Sequence, residues 1–210
     1  MIDEKIKNIV FDLGGVLVGL DPERCIEAFR EIGCGEIAFY VEEHRTEDLF
    51  LDTELGRITR AQFCDEVRRL CGGDRAATLP GDDRIVWAWN RLLTTIPDEK
   101  KARLLQLRER GYRLFLLSNT NEMHWTLCRD ELFGYRGHTA SDYFERIFLS
   151  YEMHLAKPSA EIFRETLRQT GINAGETLFI DDSELNCHAA EEVGITTLHE
   201  NTGHRWLYEI

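Results

Sequence analysis

Apolar positions along this chain fall into two rhythms, and their order predicts the architecture. Short, mostly apolar runs occur at 6–11, 113–117, 147–149, 177–180 and 195–198. Runs this short, closed by polar or glycine positions, read as buried strands. Between the later runs the spacing is helical. Leu104, Leu105 and Leu107 mark a helix over 99–110 that Gly111 stops, a second covers 160–169 and stops near Gly171, and a third covers 184–192 and stops at Gly194. Strand and helix in alternation predict a parallel sheet with helices on both faces.

The alternation is interrupted once. After the first strand comes a helix start at Asp21-Pro22-Glu23, an acid at the cap and proline in the first turn. Ile26, Phe29 and Ile32 form one face of that helix, and Gly33 ends it. Thr59 is a candidate cap for a helix carrying Phe63, Val67, Leu70 and Cys71, and Trp87, Trp89, Leu92 and Leu93 suggest another buried helix. No strand pattern appears between Leu20 and Thr95, so this block reads as an all-helical insert. The expected division is a core of residues 1–18 and 96–210 and a helical insert over 19–95. The tail, 201–210, with His204, Trp206 and Tyr208, fits either packing on the core or an oligomer contact.

Composition narrows the class. With 210 residues there is room for one α/β core plus a subdomain, and 43% hydrophobic content is that of a globular chain. No apolar stretch approaches the ~20 residues of a membrane span, and the N-terminus shows no signal peptide pattern, so the expected location is the cytoplasm, with no membrane partner. The six cysteines show no CxxC spacing and read as free, mostly buried thiols. A net charge of −13 argues against a nucleic-acid partner. It leaves room for a small anionic substrate, because a local lysine and a metal outweigh a global field.

The chemistry sits at the ends of the strands. Asp12 follows the first strand and precedes Leu13-Gly14-Gly15; Ser118-Asn119, Lys157-Pro158 and Asp181-Asp182 come later, in or after the core strands. The carboxyl edge of an open α/β sheet is where such folds bind ligands, and a buried carboxylate there is costly unless paired. Acids, a lysine and a hydroxyl converging on one edge suggest a magnesium site for phosphoryl transfer.

These four motifs, in this order, resemble the haloacid dehalogenase-like hydrolase superfamily. The combination Phe-Asp-Leu-Gly-Gly, Leu-Ser-Asn-Thr-Asn, Lys-Pro and Asp-Asp-Ser is similar to a bacterial branch that includes α-glucose 1-phosphate phosphatases. The resemblance implies a doubly wound, Rossmann-like core with a helical cap subdomain. It also implies a Mg²⁺-dependent phosphatase acting on a small phosphate ester, sugar phosphates among the candidates, as a monomer or homodimer. Asp12 is then the nucleophile that forms an aspartyl-phosphate. Asp182 binds Mg²⁺ directly with Asp12 and the Gly14 carbonyl, and Asp181 binds through water or orients the other ligands. Ser118 and the Asn119 backbone N–H hydrogen-bond the phosphoryl oxygens. Lys157 neutralises the phosphoryl group and the nucleophile. Asn186 is a candidate support for the Asp182 loop; alternatively, Ser183 or Asp182 simply caps a helix.

One position departs from the pattern. Most phosphatases of this superfamily carry a second aspartate two residues after the nucleophile, where it protonates the leaving group; here that residue is Gly14. A positioned acid is typically worth ~10²–10⁴ in rate. The loss implies a slow enzyme, a replacement acid, or a group that leaves easily, such as the hemiacetal oxygen of a sugar 1-phosphate. Glu42, Glu43, His44, Glu47 and Asp48 are candidate replacements, as is His124. Two further readings are a 2-haloacid dehalogenase, whose aspartate attacks carbon without metal, and a non-catalytic binding protein; the Asp181-Asp182 pair disfavours the first, and retention of Asp12 and Lys157 the second.

Overall fold

The computed structural model describes residues 3–37, 41, 49–72 and 79–210. Strand β1 (Asn8–Phe11) is followed by α1 (Pro22–Glu31), α2 (Leu49–Glu54), α3 (Arg60–Gly72) and α4 (Asp82–Asn90). Then come α5 (Asp98–Glu109), β2 (Arg113–Ser118), α6 (Glu122–Leu127), a π-helical turn (Cys128–Leu132) and α7 (Ala140–Tyr143). Strand β3 (Arg146–Leu149) leads through α8 (Ser150–Met153) and α9 (Ala160–Thr170) to β4 (Thr177–Asp181). The chain ends with α10 (Glu184–Glu191), β5 (Thr196–His199) and α11 (Arg205–Glu209).

The five strands form one parallel sheet in the order β3-β2-β1-β4-β5. This is the α/β architecture that the alternating pattern predicts. Strand β1 is central: Phe11 pairs with Leu116 of β2 on one side and with Ile180 of β4 on the other. The order reverses about β1, so the crevice beyond its carboxyl end opens between two divergent connections. Apolar side chains cover both faces. Ile9, Phe11, Leu114 and Leu116 pack on one face with Leu104, Leu107 and Trp206; Val10, Phe115, Leu117 and Phe179 pack on the other with Ile162 and Phe163.

A third apolar cluster lies in the helices between β1 and α5. Cys25, Phe29, Phe63, Val67, Ile85 and Trp89 are its centre, and Met123 of α6 joins it from the core side. The caps expected here are present. The Asp21 carboxylate accepts from the Arg24 N–H at 2.9 Å, and Thr59 and Gln62 cap each other at the start of α3. The two connections to the core run antiparallel, with Leu20 bridging to Leu93. Hydrogen bonds from Thr94 N–H to the Gly19 carbonyl (2.9 Å) and from Asp21 N–H to the Leu92 carbonyl (2.8 Å) join them. A Cβ on Gly19 would stand 2.4 Å from the Thr94 hydroxyl, so only glycine allows this approach.

One expectation changes, and the tail takes the first of its two expected placements. Trp87 is not buried: it is 37% exposed, with the Arg84 and Arg91 guanidiniums at 5.2 and 5.9 Å from its ring, a cation–π arrangement that suits a solvent-facing indole. Ile85, Ala88 and Trp89 form the buried stripe of α4 instead, and Leu92 and Leu93 lie beyond its end. The tail packs on its own core: Trp206 is fully buried, meets Phe11 edge-on at 5.0 Å and donates its indole N–H to the Val16 carbonyl at 3.3 Å. Buried Glu200 accepts from the Trp206 N–H at 2.8 Å and fixes the turn into α11. All six cysteines are free, and all but half-buried Cys71 are buried. Among the described residues no helix is long and apolar enough to cross a membrane.

Candidate active site

Asp12 begins where β1 ends, its backbone N–H still bonded to the Ile180 carbonyl at 2.9 Å. The sheet therefore delivers its side chain beside that of Asp181, the last residue of β4. Lys157 arrives from the loop after α8 and lies between them, Nζ at 2.8 Å from Asp12 and 2.6 Å from Asp181. Its side chain is 1% exposed. A buried ammonium without such partners would cost several kcal/mol.

Both oxygens of Asp181 have partners. Its Oδ2 takes the lysine, while its Oδ1 accepts from the Ser183 N–H and the Asn186 amide, both at 2.9 Å. Asn186 thus supports the Asp181–Asp182 turn. Ser183 caps α10 by accepting from the Asn186 N–H, which leaves the more exposed Asp182 carboxylate free of capping duty. Gly15 makes room for it: the residue has φ +68°, and a Cβ there would stand 2.2 Å from Asp182 Oδ2.

One carboxylate oxygen from each of Asp12, Asp181 and Asp182 lies within 4.8 Å of the others. Three carboxylates face one ammonium, and burial acts against the surplus negative charge. It pushes the Asp12 carboxyl up to about 7; Lys157 opposes the rise, and Asp181 and Asp182 add to it. Asp182 is raised as well, by burial and by Asp181. For Lys157 burial pulls downward, but Asp12 and Asp181 together outweigh it and hold the ammonium above its ordinary value. A hard, all-oxygen, net-negative donor set of this kind fits a divalent cation such as Mg²⁺.

A cavity of about 120 Å³ opens beside this cluster. Gly14, Ser118 and Asn119 line it from the core, and Leu20, Glu54 and Trp89 from the helical side. A larger hollow, about 570 Å³, lies between β3 and α9; the smaller one is the candidate because Leu13 and Gly14, the residues that follow Asp12, line it together with Ser118 and Asn119. Ser118 ends β2, buried, with its hydroxyl at the cavity wall. Asn119 was expected to act through its backbone N–H. Its side chain does something further: it grips the Lys157 backbone in both directions, donating to the carbonyl at 2.8 Å and accepting from the N–H at 2.9 Å.

A model of the haloacid dehalogenase-like hydrolases matches residues 6–194. The chain belongs to this family. It is 32% identical over 207 residues, 98% of this chain and 97% of the relative, to D-ribitol-5-phosphate phosphatase of Bacteroides thetaiotaomicron. Among solved structures, a HAD-family enzyme from Bacteroides thetaiotaomicron in complex with magnesium and inorganic phosphate superposes with a TM-score of 0.85 at 47% identity, covering 92% of this chain and 93% of that one. L-2-haloacid dehalogenase from Xanthobacter autotrophicus, at 19% identity and a TM-score of 0.60 over 91% of this chain and 76% of that one, shares the fold.

One expected acid, His124, is not placed to donate a proton. His124 is neither solvent-facing nor free. It is buried, stacked on Trp89 at 4.6 Å, donates from Nε2 to the Trp89 carbonyl and receives the Asn121 amide at Nδ1. Burial pushes it down to about 4, so it is a neutral wall of the cavity rather than an acid. Glu42, Glu43, His44, Glu47 and Asp48 lie outside the described residues. The group the sequence reading missed is Glu54 at the end of α2, which faces the cavity. The signal available for it was the neighbouring glycine. Gly56 has φ +63°, and a Cβ there would meet the Tyr151 carbonyl at 2.2 Å, so Glu54-Leu55-Gly56 marks a tight docking turn.

Proposed function

We propose that this hydrolase is a Mg²⁺-dependent phosphatase of small phosphorylated metabolites, working through an aspartyl-phosphate on Asp12. The observation that carries the reading is the buried Asp12–Lys157–Asp181 arrangement with Asp182 beside it. Asp12 is the carboxylate at the end of the central strand, directly before the cavity-lining Leu13 and Gly14, and it is the natural nucleophile. Lys157 holds it oriented and offers positive charge to the phosphoryl group. Ser118 donates its hydroxyl to a phosphoryl oxygen. Asp12, Asp182 and the Gly14 carbonyl would hold Mg²⁺, with Asp181 acting through water or by orienting its neighbours. When bound, the ion lowers the repulsion between a carboxylate and a phosphate dianion. Residues 19–95 serve as the cap that excludes water from a core of 1–18 and 96–210.

The relatives sharpen the substrate class. The hydrolase from Bacteroides named above acts on a pentitol 5-phosphate, and the one superposed on this chain binds magnesium and phosphate. A polyol or sugar phosphate fits a cavity with apolar walls and a few polar groups at one end. The test is phosphate release from a panel of polyol, sugar and triose phosphates, with and without Mg²⁺, beside Asp12→Asn. Release that needs Mg²⁺ and disappears in Asp12→Asn supports the reading; release that survives the substitution, or halide release from 2-haloacids in its place, overturns it.

A further inference from the structure

The core lacks a proton donor at Gly14, and a primary or secondary alcohol is a poor leaving group without one. Helix α2 places a carboxyl in the same cavity. Glu54 shares that cavity with Gly14, Ser118 and Asn119, and its other walls are Leu13, Val18, Leu20, Leu92 and Leu93. Its carboxyl makes no hydrogen bond or ion pair with any described residue, while its backbone is firmly tied. The Ser150 hydroxyl donates to the Glu54 carbonyl at 2.6 Å and also bridges to the Thr120 carbonyl and N–H, joining the α2 end to the loop that carries Ser118. One residue on, the Leu55 carbonyl accepts from His154 Nδ1 at 2.8 Å, and Gly56 presses against the Tyr151 carbonyl. A carboxyl without a partner among the described residues, on a doubly anchored turn that lines a mostly apolar pocket, has the placement of a working acid rather than of a solvated surface charge.

We propose that Glu54 is the proton donor of this hydrolase: its carboxylic acid gives a proton to the ester oxygen as that P–O bond breaks and the bond from Asp12 to phosphorus forms. The Glu54 carboxylate left behind then takes a proton from the water whose oxygen attacks phosphorus, as the Asp12–phosphorus bond breaks. Both residues return to their starting forms. The assignment rests on the reading of Asp12 as nucleophile. Burial pushes the Glu54 carboxyl up to about 7, against the pull of Lys157, so acid and conjugate base are both populated near neutrality. The titratable groups around it are Lys157, whose charge acts on it, neutral His124 in the same cavity lining, and Tyr151 and His154 of the segment on which the α2 end docks.

The experiment compares Glu54→Gln with the unsubstituted chain on two substrates, reading kcat/KM, which reports the steps through release of the alcohol. One is an alkyl phosphate that the panel identifies as a substrate; the other is p-nitrophenyl phosphate, whose phenolate leaves without a proton. Glu54 as donor requires a fall of ~10²–10⁴ on the alkyl ester and little change on the aryl ester. An equal fall on both esters, or no fall on either, overturns the assignment. Asp12→Asn assayed alongside separates the two readings. Activity surviving in Asp12→Asn removes the nucleophile, whereas an inactive Asp12→Asn with an unselective Glu54→Gln removes only the proton donor.

Discussion

The sheet edge and the helical insert that faces it hold their charged groups in opposite ways. On the sheet side, Asp12 and Asp181 are buried and share the Lys157 ammonium, and both oxygens of Asp181 have partners. On the helical side, Glu54 has an anchored backbone and a carboxyl with no partner among the described residues. The difference teaches what each wall is built for. A buried pair fixes positions and charge, as a nucleophile and its counter-ion require. A lone carboxyl in an apolar pocket stays able to exchange a proton, as an acid requires.

The comparison breaks most visibly at Asp12. Asp12→Asn removes the negatively charged oxygen while keeping the shape, and the expected loss of phosphate release is ~10³-fold or more; circular dichroism should show the fold unchanged. Lys157→Met tests the paired wall as structure. It leaves Asp12 and Asp181 without their shared cation, and breaking a buried pair from one side typically costs ~3–5 kcal/mol. Denaturant unfolding should show a loss of that size together with lost activity, and an unchanged midpoint would mean that the pairing adds nothing to stability.

The neutral histidine on the adjoining wall gives a smaller effect with a defined sign. His124 titrates near 4 when folded and near ~6.5 when unfolded, so between these values the unfolded chain binds more protons. Stability therefore rises with pH across that window and is lost as pH falls through it, by up to ~3 kcal/mol. His124→Gln should flatten that part of the stability–pH curve. The mildest change is at the metal edge. Asp182→Asn should raise the Mg²⁺ concentration for half-maximal activity ~10-fold or more, and a chelator should abolish turnover of the unsubstituted chain; an unchanged magnesium titration would place the ligand elsewhere.

How far the sequence reveals each wall follows from how each is built. Asp12 and Asp181 are legible because a strand is a local feature: an apolar run ends, and the next polar residue stands at the sheet edge. Lys157 is legible only through its order among the motifs, since a lysine before proline carries no signal of burial. Glu54 reaches the cavity through tertiary docking of α2 on the turn at Ser150–His154, and no local periodicity reports that. His124 shows the same limit, because its burial comes from stacking on Trp89, thirty-five positions earlier in the chain. Lys100 and Lys101 also look like solvated helix positions, yet both are buried: Lys100 donates to the Val16 and Leu17 carbonyls, and Lys101 to the Leu132 and Gly134 carbonyls and the Asp98 carboxylate. The ends of α1 and α3 were readable because caps are local: Asp21 and Thr59 do what their side chains allow over three residues. Trp87 was misjudged because a tryptophan in a helix signals a core only when its face is known, and α4 turns that one toward two arginines.

The most direct test of the central claim is to stop turnover of a phosphate ester within milliseconds in acid and to map the phosphoryl group on the chain by mass spectrometry. The account predicts phosphorylation confined to the peptide bearing Asp12, formed only with Mg²⁺ and absent in Asp12→Asn. A phosphoryl group on another residue, or Mg²⁺-dependent turnover with Asp12 never modified even when the second step is slowed, would contradict it.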